Sequence, residues 1–208
     1  MLQPQAVIFD IGNVLIGWQP EVVYDARLGA AGSRAFFDEV PIHAANLEID
    51  RGAPFRATLQ ALADAHPNWS REVMWWHDDW LAMVQPVIHE TVATLHALKA
   101  RGVPVMALTN FGAETFQIAL RAFPFLRDFD RAFVSGEMRL IKPDPAIYAA
   151  VETATGLAPA GLLFTDDRPQ NVQAAAARGW QTQLFSGWRA WALRLVEVGL
   201  LTETEAGL

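Results

Sequence analysis

Short apolar runs alternate with longer segments of helical periodicity over most of the chain. Runs of β-branched, aromatic and leucine residues predict buried strands at residues 6–9, 103–108 and 162–165. A last strand is predicted at residues 182–185, and a short apolar segment lies at residues 132–134. The apolar spacing between and after these runs predicts helices at residues 88–100, 114–122, 145–155, 169–178 and 188–198. Because strands that alternate with helices imply right-handed crossovers, we expect an α/β fold with a doubly wound, Rossmann-like parallel sheet.

The region between the first two strands has a different pattern, without a convincing strand. Helical spacing is found at residues 21–28, 33–40, 55–66 and 70–83, separated by segments that contain glycine or proline. We therefore predict a four-helix domain at residues 17–86, inserted into a core of residues 1–16 and 87–208. The chain has eight tryptophans, and this block contains Trp69, Trp75, Trp76 and Trp80 among them. We expect these four to form the core of the block, with an apolar lid over a ligand as the alternative.

The composition narrows the classes of function. Hydrophobic residues make up 52% of the 208 residues, there are no cysteines, and 16 lysines and arginines against 23 acidic residues give a formal charge of −7. No basic cluster favours a nucleic-acid partner, and no stretch approaches the roughly 18 apolar residues of a membrane span. We expect a soluble, cytoplasmic protein without a nucleic-acid or membrane partner. We expect an apolar stripe at residues 188–198 to pack on the sheet. If it were exposed it could support a dimer, so the expected oligomeric state is a monomer or a homodimer.

Polar residues follow three of the predicted strands. Asp10 ends the first strand, Thr109-Asn110 follows the strand at residues 103–108, and Asp166-Asp167 follows the strand at residues 162–165. Open α/β sheets bind ligands at the carboxyl ends of their strands, so these side chains can share one pocket. Lys142 precedes a helix, whose N-terminal dipole also favours an anion. Asp10 is therefore our candidate nucleophile. The alternatives are a turn-capping aspartate, a solvated lysine and a helix N-cap for the aspartate pair.

The order of these motifs resembles the haloacid dehalogenase-like hydrolase superfamily, whose members are mostly phosphatases. The four motifs are Phe9-Asp-Ile-Gly-Asn-Val-Leu15, Leu108-Thr-Asn110, Lys142-Pro143 and Phe164-Thr-Asp-Asp-Arg-Pro-Gln-Asn171. The predicted helical insertion is similar to the small helical cap of the subgroup that contains dehalogenases and many sugar-phosphate phosphatases. The resemblance covers most of the chain.

This resemblance implies hydrolysis of a small phosphorylated metabolite through an aspartyl-phosphate on Asp10. Mg²⁺, which favours oxygen ligands, would be the cofactor. Its expected ligands are the side chains of Asp10 and Asp167 and the backbone carbonyl of Gly12, while Asp166 either joins them or holds a metal-bound water. Thr109, Asn110 and Lys142 would bind the phosphoryl group, and Asn171 would orient the metal shell or Lys142.

One position departs from the pattern of most phosphatases in this superfamily. They carry a second aspartate two residues after the nucleophile, which protonates the leaving group, and here that position is Gly12. A general acid commonly contributes about 10²- to 10⁴-fold. Our leading interpretation is a phosphatase whose leaving group needs little help, such as a sugar 1-phosphate, or whose acid comes from the cap or from water. Chains with this first motif form a branch of the superfamily that includes sugar phosphatases.

Two other interpretations stay open. A 2-haloacid dehalogenase also lacks the second aspartate, and Tyr148 matches a position that those enzymes use. They need no metal, however, usually have threonine at the position of Val14, and do not show the aspartate pair. Arg27 or Arg34 would then be candidates for binding the substrate carboxylate. The third interpretation is a catalytically silent homologue that binds a phosphorylated ligand or a partner protein.

Overall fold

The sheet is the part of the fold that positions the predicted site. The structure is a computed structural model that describes residues 2–208, so residue 1, the first of the predicted core, lies outside it. Within this range five strands form one parallel sheet: β1 (Ala6–Phe9), β2 (Val105–Thr109), β3 (Arg131–Val134), β4 (Leu162–Asp166) and β5 (Gln181–Leu184). Their order, β3-β2-β1-β4-β5, makes the three strands with polar ends direct neighbours. The predicted doubly wound parallel sheet is confirmed.

Helices cover both faces of this sheet. In chain order they are α1 (Pro20–Glu39), α2 (Ile42–Asp50), α3 (Phe55–Ala65), α4 (Ser70–Asp78), α5 (Trp80–Met83), α6 (His89–Ala100), α7 (Ala113–Ala122), α8 (Ser135–Met138), α9 (Pro145–Thr155), α10 (Pro169–Ala177) and α11 (Trp188–Glu197). None of the helices in the described part of the chain has the length and apolar character needed to cross a bilayer.

Strand β1 is apolar throughout because helices bury it from two sides. Val7 and Phe9 belong to one hydrophobic cluster, and Ala6 and Ile8 belong to a second cluster on the opposite face. Trp191 of α11 is fully buried, and its ring meets the Phe9 ring edge-on at 5.4 Å. The apolar stripe at the C-terminus therefore packs on the sheet, as expected.

The inserted block is helical, but it contains more helices than predicted. The segments predicted at residues 21–28 and 33–40 are joined in α1, which is interrupted at Gly29 with φ 70° and ψ 160°. The segment predicted at residues 70–83 is divided between α4 and α5 at Asp79. The predicted count of four helices missed α2. Its fully buried side chains, Ile42 and Ile49, are seven residues apart and give only a weak apolar stripe.

The two predicted ends of the block lie side by side. The backbone N–H of Gly17 donates to the carbonyl of Pro86 at 2.8 Å, and Ile16 and Val87 form an isolated antiparallel bridge. The chain thus leaves the sheet and returns to it at one place. The division into a core and a cap domain stays a prediction, and we use both names for these segments below.

Glycines permit two close backbone approaches near the C-terminal end of α2, one between α2 and Gly112 and one within the core at Gly136. A Cβ atom on Gly112 would lie 2.6 Å from Cγ2 of Ile49. A Cβ atom on Gly136 would lie 2.5 Å from the Ala113 nitrogen and 2.9 Å from the Phe111 carbonyl oxygen. Backbone atoms cannot move aside as a flexible side chain can, so Gly136 leaves no room for a larger residue.

We expect Gly136→Ala to lower the free energy of unfolding by about 1–3 kcal/mol, the usual cost of overpacking. Urea-induced unfolding followed by circular dichroism measures this change. Gly12→Ala is the matched control, because a Cβ atom there would meet nothing within 4 Å. Equal stability of the two variants would contradict the proposed close approach.

Candidate active site

Asp10 lies directly after β1 and is fixed to the neighbouring strand. Its backbone N–H donates to the carbonyl of Thr165 in β4 at 2.9 Å. Its carboxylate Oδ1 accepts the backbone N–H of Ile11 at 2.7 Å. The residue is only 7% exposed, and it lines a cavity between the sheet and the cap. The sheet therefore holds the candidate nucleophile at its carboxyl edge.

The ammonium group of Lys142 is buried among three acceptors. Its Nζ lies 3.0 Å from Oδ1 of Asp10 and 2.6 Å from Oδ2 of Asp166, and it donates to the Leu108 carbonyl at 2.7 Å. An ammonium group has three hydrogens, so these acceptors satisfy it completely. Lys142 is 3% exposed, and the alternative of a solvated lysine is wrong.

Asn110 holds the backbone of Lys142 in place. The Asn110 amide donates to the Lys142 carbonyl, and its Oδ1 accepts the Lys142 backbone N–H, both at 2.9 Å. These two bonds connect the end of β2 to the loop before α9. The Asn110 side chain thus has a structural partner on both of its polar atoms, while Thr109 beside it is 1% exposed and lines the cavity.

Asp166 is fully buried, and both of its carboxylate oxygens accept hydrogen bonds. Oδ1 accepts the backbone N–H of Arg168 at 2.8 Å, and Nδ2 of Asn171 lies 3.0 Å from each oxygen. Oδ2 also receives the ammonium of Lys142. This arrangement locks the position of Lys142, because Asn171 and Arg168 fix the carboxylate that holds it.

Asp167 is oriented by a residue that the sequence did not single out. Its Oδ2 accepts the amide of Asn13 at 3.0 Å, and Oδ1 of Asn13 accepts the backbone N–H of Trp18 at 2.9 Å. Asn13 has a φ of 55°, a left-handed conformation that asparagine tolerates better than most residues. The only sequence signal for this contact is the Gly12-Asn13 pair after Asp10, which is typical of a tight turn.

Three carboxylates are close enough to share a cation. Asp10, Asp166 and Asp167 each offer an oxygen, and these oxygens lie within 4.8 Å of one another. The contacts of Asp10 fall on Oδ1 and those of Asp167 on Oδ2, so each keeps a second oxygen without a partner among residues 2–208. Hard divalent cations prefer such oxygen donors, and the group therefore fits Mg²⁺.

Burial and charge shift the ionisation of these groups. Burial raises the pKa of Asp10 to about 7 despite the opposing effect of Lys142, and the charges of Asp166 and Asp167 add to the rise. Burial likewise raises the pKa of Asp167, although the Asn13 amide counteracts it. Burial alone would lower the pKa of Lys142, but Asp10 and Asp166 together raise it above its ordinary value. The lysine is therefore charged at neutral pH.

The cavity has a volume of about 410 Å³, and the cap provides one of its walls. The cap side chains that line it include Trp18, His43, Asn46, Asp50 and Trp80. Sequence reasoning missed these residues, because it assigned the tryptophans mainly to the core of the helical block and missed α2 entirely. The absence of an acid at position 12 pointed to the cap as one possible source of the acid, but it did not identify Asp50.

Residues linked to the dehalogenase interpretation lie elsewhere. Tyr148 is fully buried, and its hydroxyl donates to the Asn171 carbonyl at 3.0 Å. Arg27 pairs with Asp79 at 2.6 Å, and Arg34 is exposed. Within residues 2–208, none of these three residues lines the cavity. The arginine that does line it is Arg168.

The fold and the strand-end cluster define a class of hydrolase. A family model for haloacid dehalogenase-like hydrolases matches residues 4–179, and the chain belongs to this family. The inferred resemblance is confirmed at the level of the superfamily.

Individual relatives carry two different activities. The (S)-2-haloacid dehalogenase 1 of Pseudomonas sp. (strain CBS-3) is 30% identical over 93 residues, which cover 45% of this chain and 41% of that protein. The phosphoglycolate phosphatase of Escherichia coli (strain K12) is 31% identical over 86 residues, covering 41% of this chain and 34% of that protein. The chain thus matches about two fifths or less of the length of these curated relatives.

A solved structure is similar along nearly the whole chain. It is a HAD family enzyme from Bacteroides thetaiotaomicron, with a TM-score of 0.72, 21% identity, and coverage of 92% of this chain and 98% of that one. A structure of the same enzyme in complex with magnesium and inorganic phosphate gives a TM-score of 0.70 at 20% identity, with 88% and 95% coverage. At these identities the likeness shows the fold.

Proposed function

We propose that this chain is a Mg²⁺-dependent phosphatase that hydrolyses a small phosphate monoester through an aspartyl-phosphate on Asp10. The observation that carries the proposal is the cluster in which Lys142 contacts Asp10 and Asp166, while Asp167 keeps an oxygen on the same cavity. Within the superfamily we place the chain in the branch with the Phe-Asp-Ile-Gly-Asn-Val motif, and sugar phosphates are the substrate class we favour. We further propose that it acts in the cytoplasm, as a monomer or a homodimer.

Each residue of the cluster has a proposed role. A carboxylate oxygen of Asp10 attacks phosphorus, and the bond to the leaving-group oxygen breaks. Lys142 offsets the negative charge of Asp10 and of the phosphoryl oxygens. The Thr109 hydroxyl and the Asn110 backbone N–H donate hydrogen bonds to the phosphoryl group. Asn171 acts through Asp166, whose carboxylate it holds.

The residues present fit a magnesium ion. Asp10, Asp167 and the Gly12 carbonyl would hold it. Because both oxygens of Asp166 already accept hydrogen bonds, we assign that residue to positioning Lys142 or a metal-bound water rather than to direct ligation. When bound, Mg²⁺ would neutralise phosphoryl charge and favour the ionised form of Asp10.

We expect the purified chain to hydrolyse p-nitrophenyl phosphate only when Mg²⁺ is present. The release of p-nitrophenolate is measured after EDTA treatment, and again after Mg²⁺ is restored. Activity should disappear with the first step and return with the second, because the single charge of Lys142 is already shared by Asp10 and Asp166 and cannot alone offset an incoming phosphoryl group. Undiminished turnover after chelation would refute the metal requirement.

A dehalogenase is the second candidate, favoured by the 30% identity to the Pseudomonas enzyme. Chloride release from 2-chloropropionate without added metal is its test. Asp10 and Asp167 each keep a carboxylate oxygen without a partner among residues 2–208, and such oxygens suit a metal ion. This counts against a dehalogenase, because displacement of halide by a carboxylate needs no cation. Neither activity, in a protein that is folded by circular dichroism, would support a catalytically silent homologue.

A further inference from the structure

The cavity contains a carboxylic acid that the proposed chemistry has not used. Asp50, the last residue of α2, lines it from the cap side. Across the cavity, the position at which related phosphatases carry their acid is Gly12. A Cβ atom on Gly12 would meet nothing within 4 Å. The core thus has room for an acid but lacks one, while the cap supplies one.

Asp50 is fixed to the loop that follows the phosphoryl-binding residues. The hydroxyl of Ser135 donates to the Asp50 carbonyl at 2.6 Å and accepts the backbone N–H of Phe111 at 2.9 Å. Phe111 directly follows Thr109 and Asn110. A single serine therefore ties Asp50 to the loop that we assign to the phosphoryl oxygens, and the cap cannot shift without breaking this link.

The side chain of Asp50 is held as firmly as its backbone. Its Oδ2 accepts the amide of Asn46 at 3.0 Å. Ile49 beside it is 1% exposed and packs against Gly112. These contacts come from the cap and the core together, so the position of the carboxyl group depends on how the two are packed against each other.

The surroundings of Asp50 favour its protonated form more than those of an ordinary aspartate do. Burial raises the pKa of Asp50 to about 7, while the Gly112 backbone N–H and Arg168 oppose the rise. A phosphoryl group in the same cavity would add negative charge and favour the neutral acid further. His43, the other titratable cap residue on the wall, has a half-exposed side chain and lies 3.4 Å from Glu21.

We propose that Asp50 is the general acid and base of the phosphatase reaction, in place of the aspartate that is missing at Gly12. In the first step, Asp10 bonds to phosphorus, the bond from phosphorus to the leaving oxygen breaks, and that oxygen takes the proton of Asp50. In the second step, the Asp50 carboxylate takes a proton from water as the water oxygen bonds to phosphorus. The bond to Asp10 then breaks, which releases phosphate and restores both aspartates. This proposal rests on the proposed function.

The test compares two aryl phosphates with Mg²⁺ present. Phenolate is a poor leaving group and needs a proton, since phenols such as tyrosine have a pKa of about 10. The p-nitrophenolate group leaves readily without one. We expect Asp50→Asn to lower kcat/KM for phenyl phosphate by about 10²-fold or more, the usual contribution of a general acid. The loss with p-nitrophenyl phosphate should be clearly smaller.

A matched control separates catalysis from cap positioning. Glu114 of the core accepts the backbone N–H of Phe55 in the cap at 2.9 Å, so Glu114→Gln weakens another cap–core contact without removing an acid from the cavity. It should affect both substrates by the same factor. If Asp50→Asn lowers kcat/KM by the same factor for both substrates, Asp50 only positions other groups and the proposal is overturned. No loss of kcat/KM with either substrate would also overturn it.

Two further variants keep the test decisive. Adding Gly12→Asp to Asp50→Asn should recover phenyl phosphate hydrolysis, because the new carboxyl group has room beside the leaving group. If Asp50→Asn does not fold, Asp50→Ser is measured instead, with the same expected difference between substrates. If the unmodified protein hydrolyses neither substrate, the proposed function fails and this proposal with it. If the wild-type enzyme is active and Asp50→Asn keeps the wild-type ratio of the kcat/KM values for the two substrates, only the Asp50 proposal fails.

Discussion

Asp10→Asn is expected to lower kcat/KM for p-nitrophenyl phosphate by at least about a thousandfold, as loss of a covalent nucleophile does in other hydrolases. An amide oxygen does not attack phosphorus at a useful rate, and the amide also removes one of the two carboxylates that keep an oxygen for the metal. The variant should fold, because asparagine has nearly the same shape and the site around it already disfavours the charged form. Steady-state kinetics at saturating Mg²⁺ measures the loss.

Asp64→Asn is the matched control for this experiment. It makes the same chemical change at an exposed position of α3, and kcat/KM should stay within the error of the wild type. A second readout uses the intermediate itself: acid-quenched wild type incubated with a phosphorylated substrate should carry a phosphoryl group that Asp10→Asn lacks. Turnover by Asp10→Asn near the wild-type level would exclude Asp10 as the nucleophile.

Lys142→Met is expected to be the most destabilising single change in the site. It leaves the buried carboxylates of Asp10 and Asp166 without their cation, and breaking a buried ion pair from one side costs about 3–5 kcal/mol. Activity should be lost as well, because no other positive group contacts Asp10 in the described part of the chain. Urea unfolding at neutral pH measures the stability change. Since the pKa of Lys142 is raised, its contribution is fully present at that pH and declines only when the pH rises through the folded-state value.

Two comparisons isolate the cause of this loss. Lys99→Met removes a half-exposed partner of Asp130 and should change the free energy of unfolding by no more than about 1 kcal/mol. Adding Asp166→Asn to Lys142→Met removes one of the two orphaned charges and should recover part of the stability. A Lys142→Met protein as stable as Lys99→Met would contradict the buried-charge explanation.

The sequence predicted the sheet correctly because its signal is local. Residues 6–9 and 162–164 are unbroken apolar runs, and such runs suit a strand that is buried on both faces. The cap was harder to predict. Helix α2 presents few buried apolar residues, and one of them, Ile49, is buried where Gly112 lets the core backbone approach it. A contact between residues more than sixty positions apart leaves no periodic pattern in either segment.

What the sequence by itself determined is which residue types lie at the carboxyl ends of the strands. Asp10, Thr109 and Asp166 could be placed there because parallel strands bring their ends to one edge. Only the tertiary structure decided which contacts, and therefore which role, each of these groups has. Lys142 has three acceptors, and both oxygens of Asp166 accept hydrogen bonds, because segments that are far apart in the chain lie close together. The position of Asp50 on the cavity wall has the same origin. The distances between such segments are set by how the helices pack on the sheet, and no local pattern encodes them.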